Sequence, residues 1–141
     1  MISMRKTGLL LTLLLFCAGL AQAGGFQQTS GGGLYKDLKT GDGAMAEVGD
    51  VATIHFIGWL DNNGIKGREF INTRKHNRTV SFVIGTDKVM PGWNEGIIGM
   101  QPGGKRLIKL PPELGYGSKG VQGKVPPNAR LILMIELVGL R

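Results

Sequence analysis

The sequence predicts one α+β domain built on an antiparallel β-sheet. Short β-branched and aromatic runs follow one another after Leu34, glycine-rich turns separate them, and a single segment has helical periodicity. Several strands, one helix and short connections are typical of an antiparallel sheet with a helix on one face. The length of 141 residues is enough for one hydrophobic core and does not require a second domain.

The N-terminal segment has the composition of a secretory signal peptide. Arg5 and Lys6 precede an apolar run over 9–20, and an Ala-Gln-Ala cleavage site follows at 21–23. The apolar run is shorter than the ~20 residues that a membrane-spanning helix needs. We therefore predict a cleaved signal peptide over 1–23 and an exported protein, with the periplasm as the favoured destination. Secretion to the exterior and an uncleaved membrane anchor are the alternatives.

The segment that follows the signal has little to bury. Residues 24–33 are rich in Gly, Gln, Ser and Thr, so we expect a disordered lead. The folded domain is then expected over 34–141.

Composition also bounds the function. The one cysteine, Cys17, lies in the signal, so the mature chain has no disulfide and depends on its core for stability. The formal net charge is +7, but the lysines and arginines are scattered. This pattern favours a role in solubility, and binding of nucleic acid or anionic surfaces is the alternative. His55 and His76 are far apart and lack acidic neighbours, so we predict no metal site and no cofactor.

The strands can be assigned in order. The run 51–60 has apolar side chains on both faces and predicts a central strand, and 61–64 predicts a turn. Strands are expected next at 69–72 and 79–84, and then, after the single helix, at 105–110 and 130–140.

One helix is predicted over 91–100. Pro91 suits a first helical turn, and Trp93, Ile97 and Met100 fall at i, i+4 and i+7. The helix also contains three glycines, each of which weakens a helix interior by about 1 kcal/mol relative to alanine. Such a helix must be held by packing against the sheet.

The remaining long segment, 111–128, has no periodicity of its own, and loops of this length in compact domains are usually functional.

A catalytic triad, a phosphate loop and a dinucleotide fingerprint are all absent from the sequence. Hydrolysis, redox chemistry and phosphoryl transfer are therefore poorly supported. Glycine-framed segments instead carry apolar and aromatic side chains that could line a pocket with few polar groups: Phe56, Phe70, Phe82, Val89, Met90, Trp93 and Tyr116.

Four segments, in order and at matching spacing, resemble signatures of the FKBP-type peptidyl-prolyl cis/trans isomerases: 85–96, 103–106, 111–117 and 125–129. The resemblance extends over about 34–141. It implies a half-barrel sheet wrapped around one short helix, and an isomerase that acts on proline-containing polypeptides without a cofactor. It also implies a pocket that binds a prolyl residue or a macrolide inhibitor that mimics it.

The resemblance also implies roles for individual residues. Phe70, Trp93 and Tyr116 match the catalytic positions, with Trp93 as the pocket floor. The positions that match substrate-binding residues are Phe56, Ile71, Val80, Val89, Met90, Val125 and Leu133. The backbone N–H of Met90 and the hydroxyl of Tyr116 match the donors that hold substrate carbonyl oxygens. Phe82 is expected to serve mainly in packing.

Several of these positions depart from the family pattern. Ile71 stands where relatives carry an aspartate, and Phe56 lacks the hydroxyl that supports that aspartate. The other departures are Val80 and Leu133 in place of phenylalanines, Val121 in place of a histidine, and Lys124 in place of an aliphatic residue. We therefore expect a roomier pocket, weaker macrolide binding and reduced turnover. A non-catalytic peptide-binding or chaperone module of the same fold is the alternative, and in either case we expect a monomer that does not bind nucleic acid.

Overall fold

The computed structural model of the chain describes residues 25–141, so the predicted signal peptide lies outside the described residues. The fold is the predicted one, an antiparallel half-barrel sheet of seven strands with one short α-helix. The strands are β1 (Gln27–Gln28), β2 (Leu34–Lys39), β3 (Val51–Asn62), β4 (Ile65–Asn72), β5 (Val80–Val83), β6 (Lys105–Leu110) and β7 (Leu131–Leu140). Between residues 25 and 141, no helix combines the length and apolar character that crossing a membrane requires.

The strands form one sheet in the order β1-β2-β6-β7-β3-β4, and β5 also pairs with β3. Strand β3 is central, as predicted, because it pairs with β7 on one side and with β4 and β5 on the other. Both faces of β3 are covered. Phe56 is buried in the core, and His55 on the opposite face is buried with its Nδ1 atom 2.9 Å from the Thr73 hydroxyl.

Strand β4 begins at Ile65, earlier than the predicted 69, because the turn before it is tight. Asn63 and Gly64 both have positive φ angles, of 54° and 89°. Two consecutive left-handed residues make a two-residue hairpin turn, which lets the strands pair directly up to the turn. Ile65, Lys66 and Arg68, in the first half of β4, are all exposed, and with a single apolar side chain among them they gave no pattern from which the strand could be predicted.

The N-terminal segment 24–33 (the lead) was expected to be disordered. Within its described residues, 25–33, it instead contains strand β1. Gln27 and Gln28 pair with β2, whose free edge offers unpaired backbone groups to any neighbouring segment. The ring of Phe26 lies 4.7 Å from the Lys109 Nζ atom. The Gly31 N–H also donates to the Glu95 carboxylate on the helix, at 2.7 Å. The lead is therefore fastened to both the sheet and the helix.

Helix α1 (Pro91–Ile97) buries the predicted face, with Trp93, Ile97 and Met100 all 6% exposed or less. It ends three residues earlier than predicted. The chain leaves the helical conformation at Ile98, whose ψ angle is 132°, and the Gly99 N–H then donates to the Ala46 carbonyl at 2.9 Å.

Two glycines let α1 approach the sheet closely. A Cβ atom on Gly92 would overlap the Leu110 side chain and lie 2.8 Å from the Leu114 carbonyl oxygen. A Cβ atom on Gly96 would lie 2.5 Å from the Ile108 Cδ1 atom. These contacts supply the packing that a short, glycine-rich helix requires.

We predict that Gly92→Ala lowers the free energy of unfolding by about 1 to 2 kcal/mol, although alanine is the better helix former. The overpacking cost of about 1 to 3 kcal/mol exceeds the gain in helix propensity of about 1 kcal/mol or less. Urea denaturation measures the change. Gly139→Ala is the matched control, because a Cβ atom there meets nothing within 4 Å, and its stability should stay near wild type. Equal stability of Gly92→Ala and wild type would contradict the close packing.

Candidate active site

The base of the candidate site is the indole of Trp93, held by rings from two strands. The Phe56 ring on β3 lies 4.6 Å from it, centroid to centroid, at an angle of 70°. The Phe82 ring on β5 lies 5.4 Å away at 52°. Edge-on and tilted contacts of this kind are favourable between aromatic rings. Phe82 is buried and packs against Trp93, in agreement with its predicted packing role.

The indole has one unusual feature. Its Nε1 atom is buried and has no hydrogen-bond acceptor among the described residues. A buried donor without an acceptor costs about 1 to 3 kcal/mol, so such groups in native proteins call for an explanation, and a functional site is one. The base of the cluster therefore contains one unsatisfied polar group, the indole N–H of Trp93.

A second aromatic pair joins β4 to the long loop. The Phe70 and Tyr116 rings lie 6.3 Å apart, centroid to centroid, at 78°. Both side chains are half-buried. Gly58 makes room for this pair, since a Cβ atom there would lie 2.5 Å from the Phe70 ring. Burial raises the pKa of the Tyr116 hydroxyl, so that group is protonated and able to donate a hydrogen bond at neutral pH.

The structure brings all ten predicted site residues into one hydrophobic cluster. The members buried in the core are Phe56, Trp93, Val125 and Leu133. The members that are half-buried against it are Phe70, Ile71, Val80, Val89, Met90 and Tyr116. This cluster is the hydrophobic core of the domain and has other members as well, so the pocket roles of the ten residues stay predictions.

Two open cavities adjoin this cluster. One, of about 700 Å³, is bordered by Ile71 and Val80. The other, of about 600 Å³, is bordered by Val121 and Val125. Phe70, Trp93 and Tyr116 line neither of these two cavities. The expected increase in pocket size therefore stays a prediction.

The N-terminal end of α1 is positioned by Asn94, which the sequence did not reveal. Its Oδ1 atom accepts from the Gly85 N–H at 2.8 Å, and its Nδ2 atom donates to the Thr86 carbonyl at 2.7 Å. These bonds fasten the loop 85–90 to the helix. Met90 ends that loop in an extended conformation, and its N–H donates to no backbone acceptor within residues 25–141.

The C-terminal end of α1 is held by Arg106, whose structural role the sequence also did not reveal. The Arg106 Nη1 atom donates to the carbonyls of Gly96 at 2.9 Å and Ile98 at 2.8 Å. Its Nε atom donates to Asp37 at 2.7 Å, and its guanidinium lies 4.3 Å from the Tyr35 ring centroid. A cation at a helix C-terminus is favourable because the last carbonyls lack partners within the helix.

The fold and the site together define an α+β binding domain of the immunophilin type, with aromatic rings where the sheet meets its one helix. The family model described as FKBP-type peptidyl-prolyl cis-trans isomerase matches residues 43–138. The chain belongs to this family, as its resemblance to the FKBP signatures predicted.

Individual relatives agree with this membership. The chain is 39% identical over 108 residues to an FK506-binding protein of Neisseria meningitidis serogroup B, covering 77% of this chain and 95% of that protein. Among solved structures, AtFKBP13 matches with a TM-score of 0.71 and 31% identity, over 82% of this chain and 98% of the other. FkpA from Escherichia coli matches with a TM-score of 0.73 and 30% identity, over 91% of this chain and 57% of the FkpA chain.

We predict that Arg106→Met lowers the free energy of unfolding by about 2 to 4 kcal/mol, because two carbonyls at the end of α1 lose their donor. Chemical denaturation followed by circular dichroism measures the loss. Arg130→Met is the matched control, since Arg130 is exposed and its side chain makes no hydrogen bond or ion pair with the described residues, and it should change little. A loss in Arg106→Met no larger than in the control would contradict the assigned role.

Proposed function

We propose that this protein catalyses cis/trans isomerisation of X-Pro peptide bonds, and that it acts on exported polypeptides. The observation that carries the proposal is the buried indole of Trp93, held between Phe56 and Phe82 in a domain of the FKBP-type family. The signal-like segment 1–23 supports action after export, with the periplasm as the favoured compartment.

The chemistry suits an apolar site. Rotation about an amide bond has a barrier of ~18 to 20 kcal/mol because resonance gives the bond partial double-bond character. The uncatalysed X-Pro bond isomerises in roughly tens to hundreds of seconds. The twisted transition state loses the resonance and its charge separation, so it is less polar than the flat amide. A site that binds the twisted form more tightly than the flat form accelerates the reaction without a nucleophile.

The candidate residues have separate roles in this scheme. The proline ring packs on Trp93, while Phe70 contacts the substrate at the rim. The Met90 N–H and the Tyr116 hydroxyl donate to substrate carbonyl oxygens and hold the chain while the amide turns. Burial raises the pKa of Tyr116, so the phenol keeps its proton and can donate over a wider range of alkaline pH than an exposed tyrosine. Ile71, Val80, Val89, Val125 and Leu133, with Phe56, complete the apolar surface.

A non-catalytic peptide-binding module is the second candidate. It is favoured by the half-buried, apolar Ile71, because the resemblance to the family places Ile71 where its best-known members carry an aspartate. Such a module binds the prolyl segment without accelerating its isomerisation. The names of the curated relatives support binding of FK506-type macrolides as well, for which the substitutions at the rim favour reduced affinity.

We predict that the purified protein accelerates exchange between cis and trans forms of a Leu-Pro peptide, measured by NMR exchange spectroscopy. Trp93→Leu should lower kcat/KM at least about ten-fold, because the proline loses its planar contact surface. Trp59→Leu is the matched control: this half-buried indole lies 4.3 Å from the Lys66 Nζ atom, outside the core cluster, and the variant should retain activity. Circular dichroism checks that both variants are folded.

The result also separates the two candidate functions. Peptide binding without faster exchange would favour the non-catalytic module. Neither binding nor faster exchange, in a protein shown to be folded, would reject both.

We predict that Tyr116→Phe lowers kcat/KM roughly two- to ten-fold, the loss expected for one hydrogen bond. Because burial raises the pKa of Tyr116, wild-type activity that depends on this hydroxyl should persist until the pH exceeds the ordinary tyrosine value of about 10. Above the raised value the phenolate forms, the donor is lost and the rate should fall. If the rate of Tyr116→Phe falls with pH as much as the wild-type rate does, a group other than the Tyr116 hydroxyl is responsible.

A further inference from the structure

The cavity next to Val125 is bordered by cations and by no carboxylate. Its charged lining residues are Arg68 on β4, with Lys119 and Lys124 on the long loop. The Arg68 Nη2 atom donates to the Lys124 carbonyl at 2.9 Å, which ties the strand to the loop at this opening. Three positive side chains therefore line one opening, and this opening is also lined by Val125, a residue of the candidate site.

The cavity on the other flank has the same character. It is bordered by Ile71 and Val80 of the candidate site, and its basic lining residues are Arg78 and His76. No carboxylate lines it. Each of the two openings beside the site thus combines apolar site residues with basic side chains.

These cations are not neutralised within the chain. The ion pairs of residues 25–141 join Arg74 to Glu136, Lys75 to Glu69, and Arg106 to Asp37. Residues 1–24 contain no Asp or Glu, so they can add no carboxylate partner. Glu69 is the carboxylate adjacent to Arg68 in sequence, and its oxygen already accepts from Lys75 at 2.7 Å.

We propose that these cations make the site selective for prolyl segments that carry an acidic side chain beside the proline. The inference rests on the proposed isomerase function and deepens it by naming the substrate class. The proposal applies to an aspartate or glutamate within about two residues of the proline, since each extended residue spans ~3.3 to 3.6 Å. A lysine at the same place is repelled.

A proline-containing peptide is a better match for this surface than a nucleic acid. The cations stand beside buried Val125 and half-buried Ile71 and Val80, so a ligand is favoured when it offers an apolar ring and a negative charge together. Nucleic-acid sites that track a phosphate backbone combine cations with aromatic rings on which bases stack, and no Phe, Tyr or Trp side chain lines either of these two cavities.

The test compares prolyl peptides with Glu, Gln, Leu or Lys before the proline, and with Glu or Gln after it, by NMR exchange spectroscopy on the full protein. For at least one of the two positions, kcat/KM for the Glu peptide should exceed that for its Gln counterpart by about two- to five-fold at low salt, the range expected for exposed ion pairs. The advantage should vanish when salt is raised from 0.01 M to 1 M, which shortens the Debye length from about 30 Å to about 3 Å.

Variants assign the effect to the cavity beside Val125. Lys119→Gln combined with Lys124→Gln should lower the Glu-to-Gln ratio, because two of the three cations at this opening are removed. Lys39→Gln is the charge-matched control, because Lys39 is exposed on β2, across the sheet from Arg68 on β4, and the ratio should stay at the wild-type value.

Four results would overturn the inference. Faster exchange of the Leu peptide, with equal rates for Glu and Gln at both positions, would reject the selectivity and leave the isomerase function standing. A Glu advantage of the same size in the double variant and in the wild type would reject these lysines as its cause. Displacement of the acidic peptide by an oligonucleotide that binds more tightly would favour nucleic acid as the ligand. No faster exchange with any peptide would reject the proposed function itself.

Discussion

The rest of this structure depends on one constraint, the close packing of helix α1 against the sheet. A helix of seven residues that contains two glycines is too short to be stable alone, because isolated helices below about 12 to 15 residues are marginal in water. Here Gly92 and Gly96 allow contact with Leu110 and Ile108 on β6, and Arg106 binds the carbonyls at the helix end. The helix is therefore ordered by the sheet.

The position of Trp93 follows from this packing. The indole contacts the rings of Phe56 and Phe82 because α1 lies close to the strands that carry them. The polar groups that we propose for binding are the N–H of Met90, the hydroxyl of Tyr116 and the cations of the two openings. An apolar base with polar groups at its rim suits a reaction in which the bound amide becomes less polar as it turns.

Much of the fold could be predicted because its signals are local in the sequence. The strand at 105–110 was predicted to the residue, and the buried face of α1 was predicted from three apolar positions. Strand β1 could not be predicted, because its pairing depends on the free edge of β2 and not on its own polar residues. The roles of Asn94 and Arg106 were missed for the same kind of reason: their partners lie eight to ten residues away and become neighbours only after folding.

The central claim, that a prolyl ring binds against the indole at position 93, can be tested by intermolecular nuclear Overhauser effects. A proline-containing peptide is added to isotope-labelled protein, and contacts from the ring protons of its proline are assigned. We expect contacts to the Trp93 indole, accompanied by contacts to Phe70 or Tyr116. Proline contacts confined to another surface, with none to Trp93, would contradict this account.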